Sequence, residues 1–165
     1  MRRLSALLAV VVASSACSFG GPASTPEETP QAEPSAEPSV GQQIEQTVQA
    51  DLGGVALELE VADEPQERAV GLMGRTEVPA GTGMVFLFDT LSTSGFYMFQ
   101  VPVPLVAVFV RDGVVVGVEQ MPPCPETEPG DCPTYGPDES YDTVVETAPE
   151  TLPDVAPGDR LELRD

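Results

Sequence analysis

Hydrophobic positions in this chain recur mainly with a period of two, the spacing of half-buried strands. Val55, Leu57, Leu59 and Val61 alternate with Ala56, Glu58, Glu60 and Ala62, which predicts a strand with one polar face. Met84-Val85-Phe86-Leu87-Phe88 is continuously apolar and predicts a short strand buried on both faces. Leu105–Val110 and Val114–Glu119 flank Arg111-Asp112-Gly113, a hairpin signal with glycine available for a positive φ. A turn over residues 89–95 leads to Phe96-Tyr97-Met98, and Thr143–Thr147 is another strand candidate. Pro157-Gly158-Asp159 turns into a last strand, Arg160–Leu163, where Leu161 and Leu163 alternate with Glu162. One helix interrupts this pattern. Asp63 reads as its cap, Pro65 falls in the first turn, Gln66 could reach back as a capping-box partner, and the helix should break near Gly71 or Gly74. The predicted fold class is mainly β, a small compact β-barrel or sandwich of about seven short strands with one short helix plugging one end. The strand–helix alternation that builds a parallel nucleotide-binding sheet is not seen.

The amino end follows different rules. Met1-Arg2-Arg3, an apolar run from Leu4 to Ala13 and Ser14-Ser15-Ala16 describe an export signal over residues 1–16. The apolar run is shorter than the roughly 20 residues that cross a bilayer. Small residues directly before Cys17 resemble the lipobox of bacterial lipoproteins, in which the cysteine is acylated, with palmitate among its chains, and becomes the new amino terminus; that family usually carries Leu where this chain has Ser14. Ordinary secretion with cleavage near Ala16 is the alternative. Residues 17–51 are rich in Pro, Glu, Ser, Thr and Gln, with Pro22, Pro26, Pro30, Pro34 and Pro38 at every fourth position. Such a composition buries too little to offset its ordering entropy, so a flexible linker is expected. Extended at about 3.1 Å per residue, it would reach up to roughly 100 Å. Gln42–Gln49 could add a turn or two of helix. Residues 52–165 are then one domain, placing an exported, lipid-anchored protein on the extracytoplasmic face of the cell membrane.

Composition narrows the chemistry. The 165 residues include 27 acids and 7 basic side chains, all Arg, with no His and no Trp, for a formal charge of −20. Missing His removes histidine triads and imidazole metal sites, and missing Lys removes Schiff-base chemistry. The charge opposes a phosphate backbone, so no nucleic acid is expected as partner. Of the acids, 22 lie from Asp51 onward against five Arg, a balance that keeps a surface solvated and monomeric. In an exported chain Cys124 and Cys132 should join as a disulfide, with Pro129-Gly130 suited to the intervening turn. A redox pair and a metal clip are the rivals. Glu126, Glu128, Asp131, Asp138, Glu139 and Asp142 read as a solvated acidic loop or, less simply, a calcium site without EF-hand spacing. Met73, Met84, Met98 and Met121 offer sulfurs to a soft metal but lie in apolar segments where Met fills core gaps. No cofactor, metal ligand or catalytic residue is assigned. Glycan hydrolysis would need two carboxyls in a cleft with aromatic platforms, and three Tyr without Trp support it thinly.

Glu67-Arg68 with Gly71-Leu72-Met73-Gly74-Arg75, Gly83-Met84-Val85-Phe86-Leu87-Phe88, Phe96-Tyr97-Met98 with Pro104-Leu105, Val144-Val145-Glu146 and Gly158-Asp159 form five blocks in fixed order. Together they resemble the uncharacterised bacterial family called domain of unknown function 192, over about residues 53–164. The resemblance implies a small mainly-β domain with one helix, and no reaction. Many members carry Trp, Asn, Thr and, after Pro-Leu, Asp, where this chain has Tyr97, Gln100, Val101 and Val106. That difference implies a polar cluster lost or altered in specificity. Arg75, Tyr97, Gln100 and Glu146 are the candidate binding residues. Arg75 could hold the last helix carbonyls or pair with a carboxylate such as Glu146, or recognise an anion at a surface pocket. The expected protein is a non-catalytic binding or envelope-maintenance module. Its partners would be the membrane, through acylated Cys17, and an unidentified envelope protein or ligand. A carboxylate-dependent hydrolase of envelope glycans and a calcium-dependent adhesive module are the alternatives. The exported protein should partition into detergent, with acyl chains on the peptide that begins at Cys17. Recovery in the aqueous phase with an unmodified terminus overturns the anchor.

Overall fold

The computed structural model describes Ile44 and residues 46–164. The export signal, Cys17 and the linker up to residue 43 lie outside the described residues. Nine strands and one helix follow in order: β1 (Thr47–Leu52), β2 (Val55–Ala62), α1 (Pro65–Val70), β3 (Thr82–Ser92), β4 (Phe96–Tyr97), β5 (Leu105–Arg111), β6 (Val114–Met121), β7 (Thr134–Tyr135), β8 (Tyr141–Thr147) and β9 (Leu161–Arg164). The domain therefore begins before the boundary at residue 52, and Thr47–Gln49 is strand rather than a helical turn. Val48, Ala50 and Leu52 alternate with polar neighbours, and the polar half masked the period.

Seven strands form one sheet in the order β6-β5-β8-β3-β2-β1-β9, while β4 and β7 make a separate ribbon. The sheet curls into a half-barrel. Its edges touch where Val115 N–H donates to the Asp159 carbonyl at 2.9 Å and Leu161 N–H to that of Gly113 at 3.0 Å. Pairing is antiparallel except between β2 and β3, which run parallel with α1 in the connection. So one strand–helix–strand unit exists that the period alone did not reveal. The β5–β6 hairpin forms as expected, with Asp112 and Gly113 at φ 51° and 73°. Both values suit a turn that matches the strand twist.

The core has two layers because the central strands are covered on both sides. In β5 the inner residues Val106, Val108 and Val110 join Leu57, Leu59, Val85 and Val145 inside the curl. The outer residues Leu105, Ala107 and Phe109 pack with Met84, Phe86, Met98 and Val144. This explains the unbroken apolar runs of β5 and of Met84–Phe86, since neither face meets water. Phe86, Phe96, Phe109 and Tyr141 meet in the outer layer with ring centroids 5.0–6.3 Å apart, in edge-on and tilted pairs that add to simple burial.

The short helix covers part of this outer face rather than plugging an end. Glu64 is its cap, and Glu67 Oε2 accepts the N–H groups of Glu64 at 3.1 Å and Asp63 at 3.2 Å. The capping box thus closes one residue later than expected at Gln66. Arg68 Nη1 donates to the carbonyls of Asp63 and Leu87, tying the helix to β3. A Cβ on Gly71, which ends the helix, would lie 3.3 Å from the Phe86 ring. Cys124 and Cys132 are joined around a 3-10 turn at Pro129–Asp131, the disulfide that the sequence leads one to expect. Closing so short a loop contributes about 2–3 kcal/mol in the chain-entropy model.

Gly83 of β3 faces β8 so closely that a Cβ would lie 2.1 Å from the Glu146 carbonyl oxygen. Gly83→Ala should therefore destabilise the domain by about 3 kcal/mol, the upper range for overpacking, in urea unfolding. A loss under about 0.5 kcal/mol, within the range of neutral surface changes, would contradict the close approach.

Candidate functional site

Residues of β8 alternate between the two layers, Val145 inward and Val144 outward, so Glu146 takes an outward position. In the sheet it lies between Met84 of β3 and Ala107 of β5. An acid thus sits in the middle of the most buried part of the outer face. Above it α1, residues 71–73, β4 and residues 98–101 leave a cavity of about 270 Å³. Its walls are chiefly Leu72, Phe86, Phe88, Phe96, Met98 and Val101. Glu146 is the one carboxylate that lines it among the described residues.

The electrostatics of this carboxyl are unusual. Glu146 is only 5% exposed. No described residue donates a hydrogen bond to its side chain. No described side-chain oxygen or nitrogen is both sealed from solvent and unpartnered, so the carboxyl opens onto the cavity. Burial in these apolar surroundings pushes its pKa up from 4.5 to about 8. Near neutral pH it is predominantly a neutral acid, with one O–H to donate and oxygens to accept. The nearest cation of the lining is Arg68, whose guanidinium lies 5.2 Å over the Phe88 ring and is engaged by two backbone carbonyls.

Of the candidate binding residues, the structure brings Glu146 and Tyr97 to one cavity and leaves the other two elsewhere. Tyr97 is 37% exposed at the rim, on a strand fixed by pairing with Thr134. Arg75 pairs with Glu60 of β2, not with Glu146, through contacts of 2.6 and 2.5 Å. The two-pronged geometry matches guanidinium to carboxylate, and the pair is partly exposed, which fits a structural clasp. Gln100 is exposed at φ 57°, and its carbonyl accepts the Gly74 N–H at 2.8 Å, so its backbone joins two loops. Arg68, Phe96, Met98 and Val101 were not singled out as a site from the sequence. Phe96 and Met98 show only the apolar character that core residues share, Val101 is only a departure from the family pattern, and Arg68 is a lone charge on a short helix.

The other candidate chemistries separate in space. Among the described residues, no group of three or more His, Cys, Asp or Glu side chains is placed to hold a metal ion. Asp142 of the acidic loop instead accepts the Asp112 N–H and the Thr143 hydroxyl, both at 2.8 Å. Met84, Met98 and Met121 are buried in the outer layer and Met73 packs against it, filling space beside the rings. The carboxyl pair that glycan hydrolysis needs is not assembled in this cavity.

A family model, DUF192, described as "Uncharacterized ACR", matches residues 47–163. No curated protein matches the chain. Two solved structures resemble it. One, from Sinorhizobium meliloti and described as a candidate transcription regulator, is 26% identical with a TM-score of 0.63, covering 74% of this chain and 98% of its own. The other, from Novosphingobium aromaticivorans and of unknown function, is 28% identical with a TM-score of 0.56, covering 80% of this chain and 94% of its own.

The raised pKa sets a direction for stability. Between pH 4.5 and about 8 the folded chain holds a proton on Glu146 that the unfolded chain has released. This contribution is complete below pH 4.5 and is lost as pH rises through 8. The stability of the native chain minus that of Glu146→Gln should therefore fall with pH, by up to about 1.4 kcal/mol per unit, and level off above 8. Parallel curves for the two proteins in denaturant unfolding from pH 4 to 9 would rule this out.

Proposed function

The chain belongs to the uncharacterised DUF192 family, and from the cavity that its fold builds we propose that it is a non-catalytic binding module held at the outer face of a cell membrane. The observation that supports it is the pairing of an apolar cavity with a single unpartnered carboxyl. Concave apolar sites with few convergent polar groups are the usual form of small-ligand sites. A single carboxyl in the lining, with Arg68 already held by two backbone carbonyls, has the means to orient a ligand. The attachment rests on residues 1–17, where a charged start, a short apolar run and small residues precede Cys17. The proline-spaced stretch behind it would serve as a stalk that carries the cavity away from the lipid surface. A regulatory role at DNA, which the description of one structural neighbour would suggest, does not suit a chain of charge −20. We assign it a monomeric state and an envelope ligand rather than a nucleic acid.

Benzene provides a first probe, since it asks only for apolar space. Titrated into the full chain, it should shift methyl resonances of Leu72, Met98 and Val101 while leaving those of Val106 and Val108 inside the curl unmoved. Val101→Trp, which fills the cavity, should abolish the shifts. Shifts spread evenly over both layers, or none at any site, would defeat the binding reading.

A further inference from the structure

We infer that the cavity under α1 selects small, uncharged, mainly apolar molecules bearing a carbonyl oxygen, with the Glu146 carboxyl as hydrogen-bond donor. This rests on the binding reading above and adds to it the class of ligand.

The argument begins with what surrounds the acid. Its neighbours across the sheet, Met84 and Ala107, offer no donor, and no acceptor beyond the weak thioether sulfur of Met84. The cavity walls nearest the sheet are rings and aliphatic groups. No described residue hydrogen-bonds the carboxyl, which opens onto the cavity. A ligand that fills the cavity closes the carboxyl off from solvent, and leaving its O–H without an acceptor there is unfavourable. A hydrocarbon of equal shape gains the apolar contact alone. A carbonyl compound gains the contact and the hydrogen bond, so the site discriminates by the polar group.

Charged ligands fit less well. An anion would find the one cation of the lining, Arg68, already held by two backbone carbonyls, inside a domain where acids far outnumber Arg. A cation would meet Arg68 at the cavity wall and would require Glu146 to give up its proton in apolar surroundings. Arg68 from α1 and Tyr97 from β4 are the other ionisable groups on the cavity, and β3 and β5 supply none beside Glu146. A carboxylic acid kept neutral by an apolar site is a known form of hydrogen-bond donor to carbonyl oxygen.

Three probes of similar shape test the assignment by methyl-shift titration of the full chain. These are acetophenone, α-methylstyrene (which replaces the carbonyl oxygen by a methylene group) and 1-phenylethylamine (a cation). At pH 6 acetophenone should bind about fivefold tighter than α-methylstyrene, the effect of one hydrogen bond. That preference should fall as pH rises through 8 and be mostly lost by pH 9 in the native chain. In Glu146→Gln, whose amide also donates, it should persist unchanged from pH 6 to 9. In Glu146→Leu both neutral probes should bind alike. Equal affinities in the native chain at pH 6, or tightest binding by the amine, would overturn the carbonyl assignment while leaving the binding reading intact. Failure of all three probes to shift the cavity methyls would remove both.

Discussion

The structure depends on burying both faces of the central strands β3, β8 and β5. A curled sheet can cover its concave face with its own side chains, and here Val106, Val108, Val110, Val85 and Val145 do so. The convex face has no such recourse. It needs other parts of the chain laid over it, and the chain supplies a six-residue helix, a two-stranded ribbon and a few loop residues. This cover leaves a gap, and Glu146 lies beneath it. The cavity is thus a consequence of covering a broad convex surface with short elements.

Placing an acid at that point works against the packing around it. A Leu there would satisfy the outer layer, and the carboxyl instead remains neutral through burial and without a protein partner. Folded chains tend to break local rules at the places they use. The supports of the cavity are correspondingly firm. Gly83 lets β3 approach the backbone of Glu146, Arg68 fastens α1 to β3, and aromatic rings meet along the wall. The disulfide adds to this, since Cys132 lies two residues before the strand that pairs with β4, and β4 carries Phe96 and Tyr97 of the wall.

Much of the architecture was legible in the chain. Alternation located β2 and β9, continuous apolar runs located β3 and β5, and Asp112-Gly113 located a hairpin, because each pattern follows directly from which faces are buried. The early strand β1 was hidden by polar alternate residues and by the proline-rich composition before it. The parallel β2–β3 pairing was hidden because register across a crossover depends on distant partners. For the site, Glu146 was readable as an acid inside an apolar strand, and Tyr97 as an aromatic in the same block. Arg75 was legible as a residue for an ion pair, but its partner was not, because sequence spacing does not tell which of many carboxylates lies within reach; the clasp goes to Glu60 on β2. The apolar walls carry no mark that separates a cavity from a core.

One topological feature reaches beyond the site. β1 and β9 are antiparallel neighbours, with Gln49 opposite Arg164, so the points where the chain enters and leaves the sheet lie side by side. The sheet is in effect a necklace whose clasp falls between these two strands. Its strand order would read the same if a loop joined β9 to β1 and the backbone were opened at another turn of the sheet.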